Sequence, residues 1–158
     1  METEFRVVEL EPQPALAISE EVLFQEIGKK IGELFIELAN FLQSKGGMMT
    51  GPPFSFYHSW DDQKVVVEVG FPTAALVEGE GEEEGRLKPI ALPGGKAVTG
   101  IHVGPYDRIG ETYKRMMDWM AERKLRSKGM MWESYLTDPE KEGDPSKYMT
   151  QIFFPVEG

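Results

Sequence analysis

The sequence predicts an α+β fold made of two similar units, each with the order strand, helix, strand, strand. Hydrophobic residues alternate in several short segments, as in strands, and recur at spacings of three and four in two longer ones, as in helices. The segments 54–57 (FSFY) and 132–135 (WESY) also match: each follows a helix-like stretch and a glycine turn, and each precedes a strand that closes on Phe-Pro. Because fused similar units tend to pack about a pseudo-two-fold axis, we expect an antiparallel or mixed sheet with both helices on one face and a central ligand cleft.

The first predicted repeat covers about 5–72 and is joined to the second by a connector at 73–93, within one domain over 1–158. In order, this repeat is predicted to contain strands at 5–10 and 15–22, a helix at 25–42, and a hairpin of strands at 54–60 and 64–71. Pro12 and Pro14 end the first strand, and Gly46-Gly47 ends the helix.

The second predicted repeat covers about 94–156 and has the order strand, helix, strand, strand. It is predicted to contain a strand at 96–102, a helix at 107–124, and a hairpin of strands at 131–137 and 148–156. A turn at Gly104-Pro105 precedes the helix, and Asp107 is the predicted N-cap.

Composition and charge narrow the classes of function. The chain has no cysteine, which excludes disulfides, a thiol nucleophile and thiolate metal ligands. Its formal net charge of −10 disfavours nucleic acid as a partner and favours cationic or neutral ligands. No apolar segment approaches the roughly 20 residues that span a bilayer, and no signal peptide is evident, so we expect a cytoplasmic protein without a membrane partner. The acidic run at 78–85 is expected to be a solvated loop.

A carboxylate distinguishes the two matching segments, because Ser55 of one corresponds to Glu133 of the other. Residues two apart on a strand share a face, so Glu133 points the same way as Tyr135, and Ser55 the same way as Tyr57. A charge on the helix-facing side would be buried at high cost. We therefore predict that these four side chains face the cleft and lie away from the helices.

The same alternation directs Phe54 and Trp132 toward the helices, unless a bulge reorients them. Two alternatives remain for the polar residues. Glu133 could be an exposed glutamate on a solvated sheet face, and Tyr57 and Tyr135 could be ordinary half-buried sheet tyrosines.

The sequence lacks the common catalytic and metal-binding motifs. His58 and His102 have no carboxylate or histidine at ligand spacing, so no metal site is predicted. No Ser-His-Asp pattern, P-loop or dinucleotide fingerprint is present, and no cofactor is expected. The methionines of the second helix are expected to fill the core, and Gly104-Pro105-Tyr106 is read only as a turn.

The chain resembles the DNA gyrase inhibitor (GyrI)-like family. The resemblance rests on the segments 95–98 (GKAV), 102–107 (HVGPYD), 132–139 (WESYLTDP) and 150–156 (TQIFFPV), which occur in the expected order. It implies a stand-alone ligand-binding domain with a central groove, in which the glutamate matching Glu133 meets cationic or polar drug-like ligands among aromatic side chains. Some stand-alone members of this family are hydrolases that open the cyclopropane of DNA-alkylating natural products. Trp132 departs from the commoner Tyr or Phe before this glutamate.

These observations predict a protein that binds planar, amphipathic or cationic small molecules, with hydrolysis of cyclopropanoid compounds as an extension. Ring faces attract positive charge by roughly 0.5–2 kcal/mol per contact, and a partly desolvated carboxylate has a raised pKa that suits a general base. The predicted catalytic residues are Glu133 and Tyr135. The predicted ligand contacts are Tyr57, Phe54, Ser55, Phe71, Tyr113, Trp132 and Phe154. The alternatives are a non-catalytic sequestering or effector-binding module, or an inhibitor that contacts gyrase, a partner implied only by the family name.

Overall fold

The structure is a computed structural model that describes residues 5–45, 51–60, 63–73, 87–137 and 141–157. Its strands are β1 (Arg6–Leu10), β2 (Gln13–Leu23), β3 (Phe54–Trp60), β4 (Lys64–Pro72), β5 (Leu87–Leu92), β6 (Gly95–Val103), β7 (Met131–Tyr135) and β8 (Met149–Pro155). Its helices are α1 (Ile27–Lys45) and α2 (Ile109–Glu122). The α+β class is confirmed. No helix of the described segments is long and apolar enough to cross a bilayer.

The chain divides into two compact units. The first unit is Glu11–Gly94, and the second unit combines Met1–Leu10 with Gly95–Gly158. Both units contain the predicted order of strand, helix, strand, strand: β2, α1, β3 and β4 in the first, and β6, α2, β7 and β8 in the second. That the two halves are copies of each other stays a prediction.

The first unit is an antiparallel sheet of order β3-β4-β2-β5, with α1 packed on β2 and β4. Alternate residues of β2 and β4 turn toward α1 and form an apolar core with it. The buried members of this core are Leu16, Ile18, Val22, Leu34, Leu38, Val65, Val67, Val69 and Phe71. Burial of each such side chain contributes about 1.5–3 kcal/mol, so this cluster is the main source of stability in the first unit.

The second unit is an antiparallel sheet of order β1-β6-β8-β7, with α2 packed on β6. The buried residues of α2 are Thr112, Met116 and Met120, which recur every four residues and define the face that meets the sheet. Met116 and Met120 therefore belong to the core, as the sequence predicts, whereas the prediction is wrong for Met117, which is 51% exposed.

The structure assigns the edge strands differently from the predicted repeats. The first strand, β1, pairs with β6 and belongs to the second unit, although the predicted first repeat included it. The strand β5 lies inside the predicted connector and pairs with β2. Its sequence contains Pro89, which a sheet tolerates because β5 is an edge strand of its unit. The acidic run at 78–85 lies outside the described residues.

Both helices begin later than predicted. A 3₁₀ turn at Phe24–Glu26 precedes α1, and another at Tyr106–Arg108 precedes α2. The prediction that Asp107 caps the second helix is wrong, because Asp107 lies inside the 3₁₀ turn and Arg108 occupies the cap position without a side-chain hydrogen bond. The predicted stop at Gly46-Gly47 lies outside the described residues.

Candidate functional site

The register of the second unit shows which face of the sheet carries Glu133. On β7, Glu133 pairs with Ile152 and Tyr135 pairs with Thr150, and Thr150 pairs in turn with His102 on β6. Directly paired residues point to the same side of a sheet. Because the His102 ring contacts a side chain of α2, this side is the one that faces α2. The prediction that Glu133 and Tyr135 lie away from the helix is therefore wrong.

Glu133 is a buried carboxyl group with a specific hydrogen bond. Glu133 is only 4% exposed, and the Tyr135 hydroxyl donates a hydrogen bond to Glu133 Oε1 at 2.7 Å. Hydrogen bonds to ionised acceptors are stronger than neutral ones, and this bond offsets part of the cost of burial. The two residues predicted to act together are in direct contact. The burial of Glu133 excludes its interpretation as an exposed surface glutamate.

Two further tyrosines, Tyr106 and Tyr148, extend this pair into a cluster. Tyr106 meets Tyr135 edge-on, with ring centroids 5.7 Å apart at 74°, and lies over Tyr148 at 5.2 Å and 30°. Gly104, at φ +131°, makes the turn before Tyr106, and its N–H donates to the Tyr148 carbonyl at 2.8 Å. Tyr106 is 37% exposed, so the cluster reaches from the buried carboxyl group to the surface. Sequence reasoning missed both tyrosines, because the sequence indicates only a turn at Gly104-Pro105-Tyr106 and only the start of the last predicted strand at Tyr148.

A buried histidine fixes the turn that carries Tyr106. His102 Nε2 lies 3.0 Å from the Pro105 carbonyl, and Nδ1 lies 2.7 Å from Oγ1 of Thr112 on α2. A carbonyl only accepts, so Nε2 carries the proton and Nδ1 accepts from the threonine hydroxyl in the neutral ring. Among the described residues no group of three or more acidic, histidine or cysteine side chains could hold a metal ion.

Trp132 lies on the opposite face of β7 from Glu133. It is buried and stacks on Phe153, with ring centroids 5.0 Å apart and planes at 19°. The predicted separation of Trp132 from Glu133 is confirmed, because they are adjacent on one strand. The direction is reversed, since Trp132 and not Glu133 faces away from α2.

Two further predicted contacts lie on the helix-facing side of the second unit. Phe154 is buried and meets Tyr113 of α2 edge-on, with ring centroids 6.2 Å apart at 83°. Phe154 follows Ile152 by two positions and so shares its face, the face that also carries Glu133.

The first unit shows the same reversal of faces. Ser55 pairs with Val69 and Tyr57 with Val67, and both valines belong to the core beneath α1. Ser55 is fully buried, and Tyr57 packs against that core. The prediction that these two side chains lie away from the helix is wrong.

The two phenylalanines predicted to contact ligand in the first unit lie on different faces. Phe71 belongs to the core beneath α1, whereas Phe54 pairs with Gly70 and lies on the other face, also buried. The prediction that Phe54 faces the helix is therefore wrong.

Solved structures of other proteins share this fold. A cryo-EM structure of an EcmrR–DNA complex matches with a TM-score of 0.77 and 23% identity, and the alignment covers 98% of this chain and 57% of the EcmrR chain. SAV2435 bound to tetraphenylphosphonium matches with a TM-score of 0.73 and 16% identity, covering 98% and 94%. A hydrolase from Listeria innocua matches with a TM-score of 0.67 and 19% identity, covering 98% and 92%. This chain thus spans little more than half the length of EcmrR, and at these identities the likeness is one of fold.

No curated protein sequence matches the chain. The family model described as the GyrI-like small molecule binding domain matches residues 3–157, which is essentially the whole sequence. The chain therefore belongs to the GyrI-like small molecule binding domain family.

Proposed function

We propose that this protein binds planar or delocalised aromatic cations, with Glu133 as the charged contact and Tyr135 as its neighbour in the site. The observation that carries the proposal is the burial of the Glu133 carboxyl group in hydrogen-bond contact with the Tyr135 hydroxyl. A buried carboxyl group is costly for the fold, so its presence here favours a role in binding.

The surroundings of the carboxyl group suit an aromatic cation. The faces of Tyr106 and Tyr148 can attract positive charge, and the 37% exposure of Tyr106 offers a path from solvent. The net charge of −10 adds a long-range attraction for cations. SAV2435, which shares the fold, was solved with tetraphenylphosphonium, a cation whose charge is surrounded by four aromatic rings.

The test compares two ligands with the same three phenyl rings, methyltriphenylphosphonium and neutral triphenylphosphine oxide. Glu133→Gln keeps the shape of the side chain and removes its charge. We expect it to weaken binding of the cation by roughly 1–3 kcal/mol, about 5- to 150-fold, and to leave the neutral ligand nearly unaffected. Isothermal titration calorimetry measures both affinities.

The matched control is Glu9→Gln, which removes the same charge from an exposed position on β1. It should change neither affinity by more than the small effect of net charge. Equal losses for both ligands in Glu133→Gln would show that Glu133 acts through structure and would contradict its role as the charged contact.

A second candidate function is hydrolysis of strained cyclopropanoid compounds, favoured by the direct contact of a carboxyl group with a phenol. In this reaction a water oxygen bonds to the cyclopropane carbon as the ring carbon–carbon bond breaks. The electron pair moves into the conjugated ring and forms a phenolate. Glu133 would take the proton of the water, and Tyr135 would donate to the developing phenolate oxygen.

Turnover separates this candidate from binding alone. If the protein is a hydrolase, Glu133→Gln should lower the rate by roughly 10²- to 10⁴-fold, as expected for loss of a general base. Product formation is followed by mass spectrometry in water enriched in ¹⁸O, which places the label in the product. Tight binding by the native chain without labelled product would leave a sequestering module.

A further inference from the structure

We propose that the hydroxyl of Thr150 is a further ligand contact, which recognises a hydrogen-bonding group on the bound cation. This inference rests on the proposed function, since it concerns the same site. It narrows the proposed ligands to aromatic cations that carry an amino or hydroxyl substituent about one ring away from the positive charge.

The first observation is an unpaired hydroxyl in the core. Thr150 lies on β8 and is completely buried, and its Oγ1 is the one buried side-chain oxygen or nitrogen of the described residues that has no hydrogen-bond partner. Folded proteins pair nearly all buried polar groups, because an unpaired group lowers stability. A valine of the same shape would avoid this loss, so the hydroxyl calls for an explanation other than folding.

The second observation is the position of this hydroxyl. Thr150 pairs directly with Tyr135 and so lies on the same face as Glu133. Its position is diagonal to that of Glu133, and diagonal cross-strand neighbours are roughly 7–8 Å apart. A ligand of two or three fused rings spans this distance.

Side chains beside Thr150 are already engaged elsewhere. Both ring nitrogens of His102, its partner on β6, are engaged with Thr112 and Pro105. The hydroxyl of Tyr135 donates to Glu133. A cation bound to Glu133 would replace the Tyr135 hydroxyl there, and a shift of the Tyr135 ring against Tyr106 would open Thr150 to the ligand.

A second buried threonine of the same sheet provides a matched control. Thr99 on β6 is also buried, but its hydroxyl donates to the Ile152 carbonyl at 2.9 Å and accepts from the Gln151 side chain at 3.0 Å. Thr99 pairs with Phe153 and therefore lies on the face opposite to Thr150.

The experiment measures stability and binding for Thr150→Val, Thr150→Ser and Thr99→Val. The probes are ethidium, an aromatic cation with aryl amino groups, and methyltriphenylphosphonium, which has no hydrogen-bonding group. Thr150→Val should raise the Tm by about 2–4 °C, because it removes an unpaired buried hydroxyl, whereas Thr99→Val should lower it.

Thr150→Val should weaken ethidium binding by about five- to tenfold and change methyltriphenylphosphonium binding less than about twofold. Thr150→Ser, which keeps the hydroxyl, should retain affinity for ethidium. Thr99→Val should leave both affinities unchanged.

The outcomes separate this inference from the proposed function. If the native chain binds neither cation, the proposed function fails and the inference fails with it. If the native chain binds both, and Thr150→Val binds ethidium equally well or loses both ligands equally, only the role of Thr150 is overturned. A lower Tm for Thr150→Val would also overturn it, since the hydroxyl would then have a structural partner.

Discussion

The strands β3 and β7 occupy matching places in the element order of the two units but carry opposite chemistry. Each presents an i, i+2 pair to the helix of its own unit. In the first unit Ser55 and Tyr57 meet Val69 and Val67, within an apolar core. In the second unit the corresponding face carries Glu133, Tyr135, Thr150 and His102.

The two faces therefore affect stability in opposite ways. The valine-rich face stabilises its unit through burial of apolar surface, at about 1.5–3 kcal/mol for each side chain. The polar face contains a buried carboxyl group and an unpaired hydroxyl, both of which reduce stability. Polar groups of this kind persist in folded proteins where function requires them. We therefore expect mutations of the valine-rich face to affect folding, and mutations of the polar face to affect the proposed binding as well.

The largest expected effect comes from moving the carboxylate into the apolar face. Ser55→Glu should lower the free energy of unfolding by roughly 4–8 kcal/mol, about 3–5 for an uncompensated buried charge and about 1–3 for overpacking. Urea denaturation followed by circular dichroism measures this loss.

Ser55→Gln is the control for this variant, because it has the same shape as the glutamate but no charge. It should lose only the overpacking part. Equal stability of the two variants would mean that the first unit tolerates a charge at this position, and the contrast between the faces would not hold.

A smaller effect is expected for Trp132→Ala, which removes the ring that stacks on Phe153. Loss of a buried tryptophan should lower the free energy of unfolding by roughly 3–5 kcal/mol. Because Trp132 lies on the face opposite to Glu133, the folded fraction should bind methyltriphenylphosphonium with nearly native affinity. Unchanged stability with lost binding would instead place Trp132 in the ligand site.

The smallest of these effects is expected for Tyr135→Phe, which removes the hydroxyl bound to Glu133 and keeps the ring. A hydrogen bond to a charged group contributes about 1.5–3 kcal/mol, so thermal unfolding should detect a loss within that range. Tyr148→Phe removes a hydroxyl from the same cluster without touching the Glu133 contact and should cost less. If both variants lose the same stability, the hydrogen bond between Tyr135 and Glu133 contributes no more to stability than the Tyr148 hydroxyl does.

Most elements of the fold could be predicted because hydrophobic periodicity is local information. The predicted hairpin of β3 and β4 and the two helices differ from the observed bounds by at most a few residues. The strand β5 was missed because Pro89 and Lys88 break the alternation of apolar and polar residues that identifies strands. An edge strand can form with a less regular alternation than a central strand.

The pairing of Glu133 with Tyr135 could be predicted, whereas the face they occupy could not. Alternation places them together but does not say which side a helix covers. The helix-free side was predicted because a buried charge is costly and the sequence showed no partner for it. The structure supplies a hydrogen bond from Tyr135, two residues away on the same face. The position of Tyr106 in the site could not be predicted, because Tyr106 lies in a turn, where no periodicity indicates the direction of a side chain.

The pairing of β1 with β6 has a consequence for synthesis on the ribosome. The first unit is contiguous, so it can fold as soon as Gly94 has emerged. The second unit needs β1, which is made earlier and is preceded by Phe5, whose ring lies over Gly100. The strand Arg6–Leu10 must therefore remain unpaired until roughly ninety more residues have been added, and closing this long loop is the expected slow step of folding. A nascent chain held at that stage exposes a strand that any other sheet edge can capture.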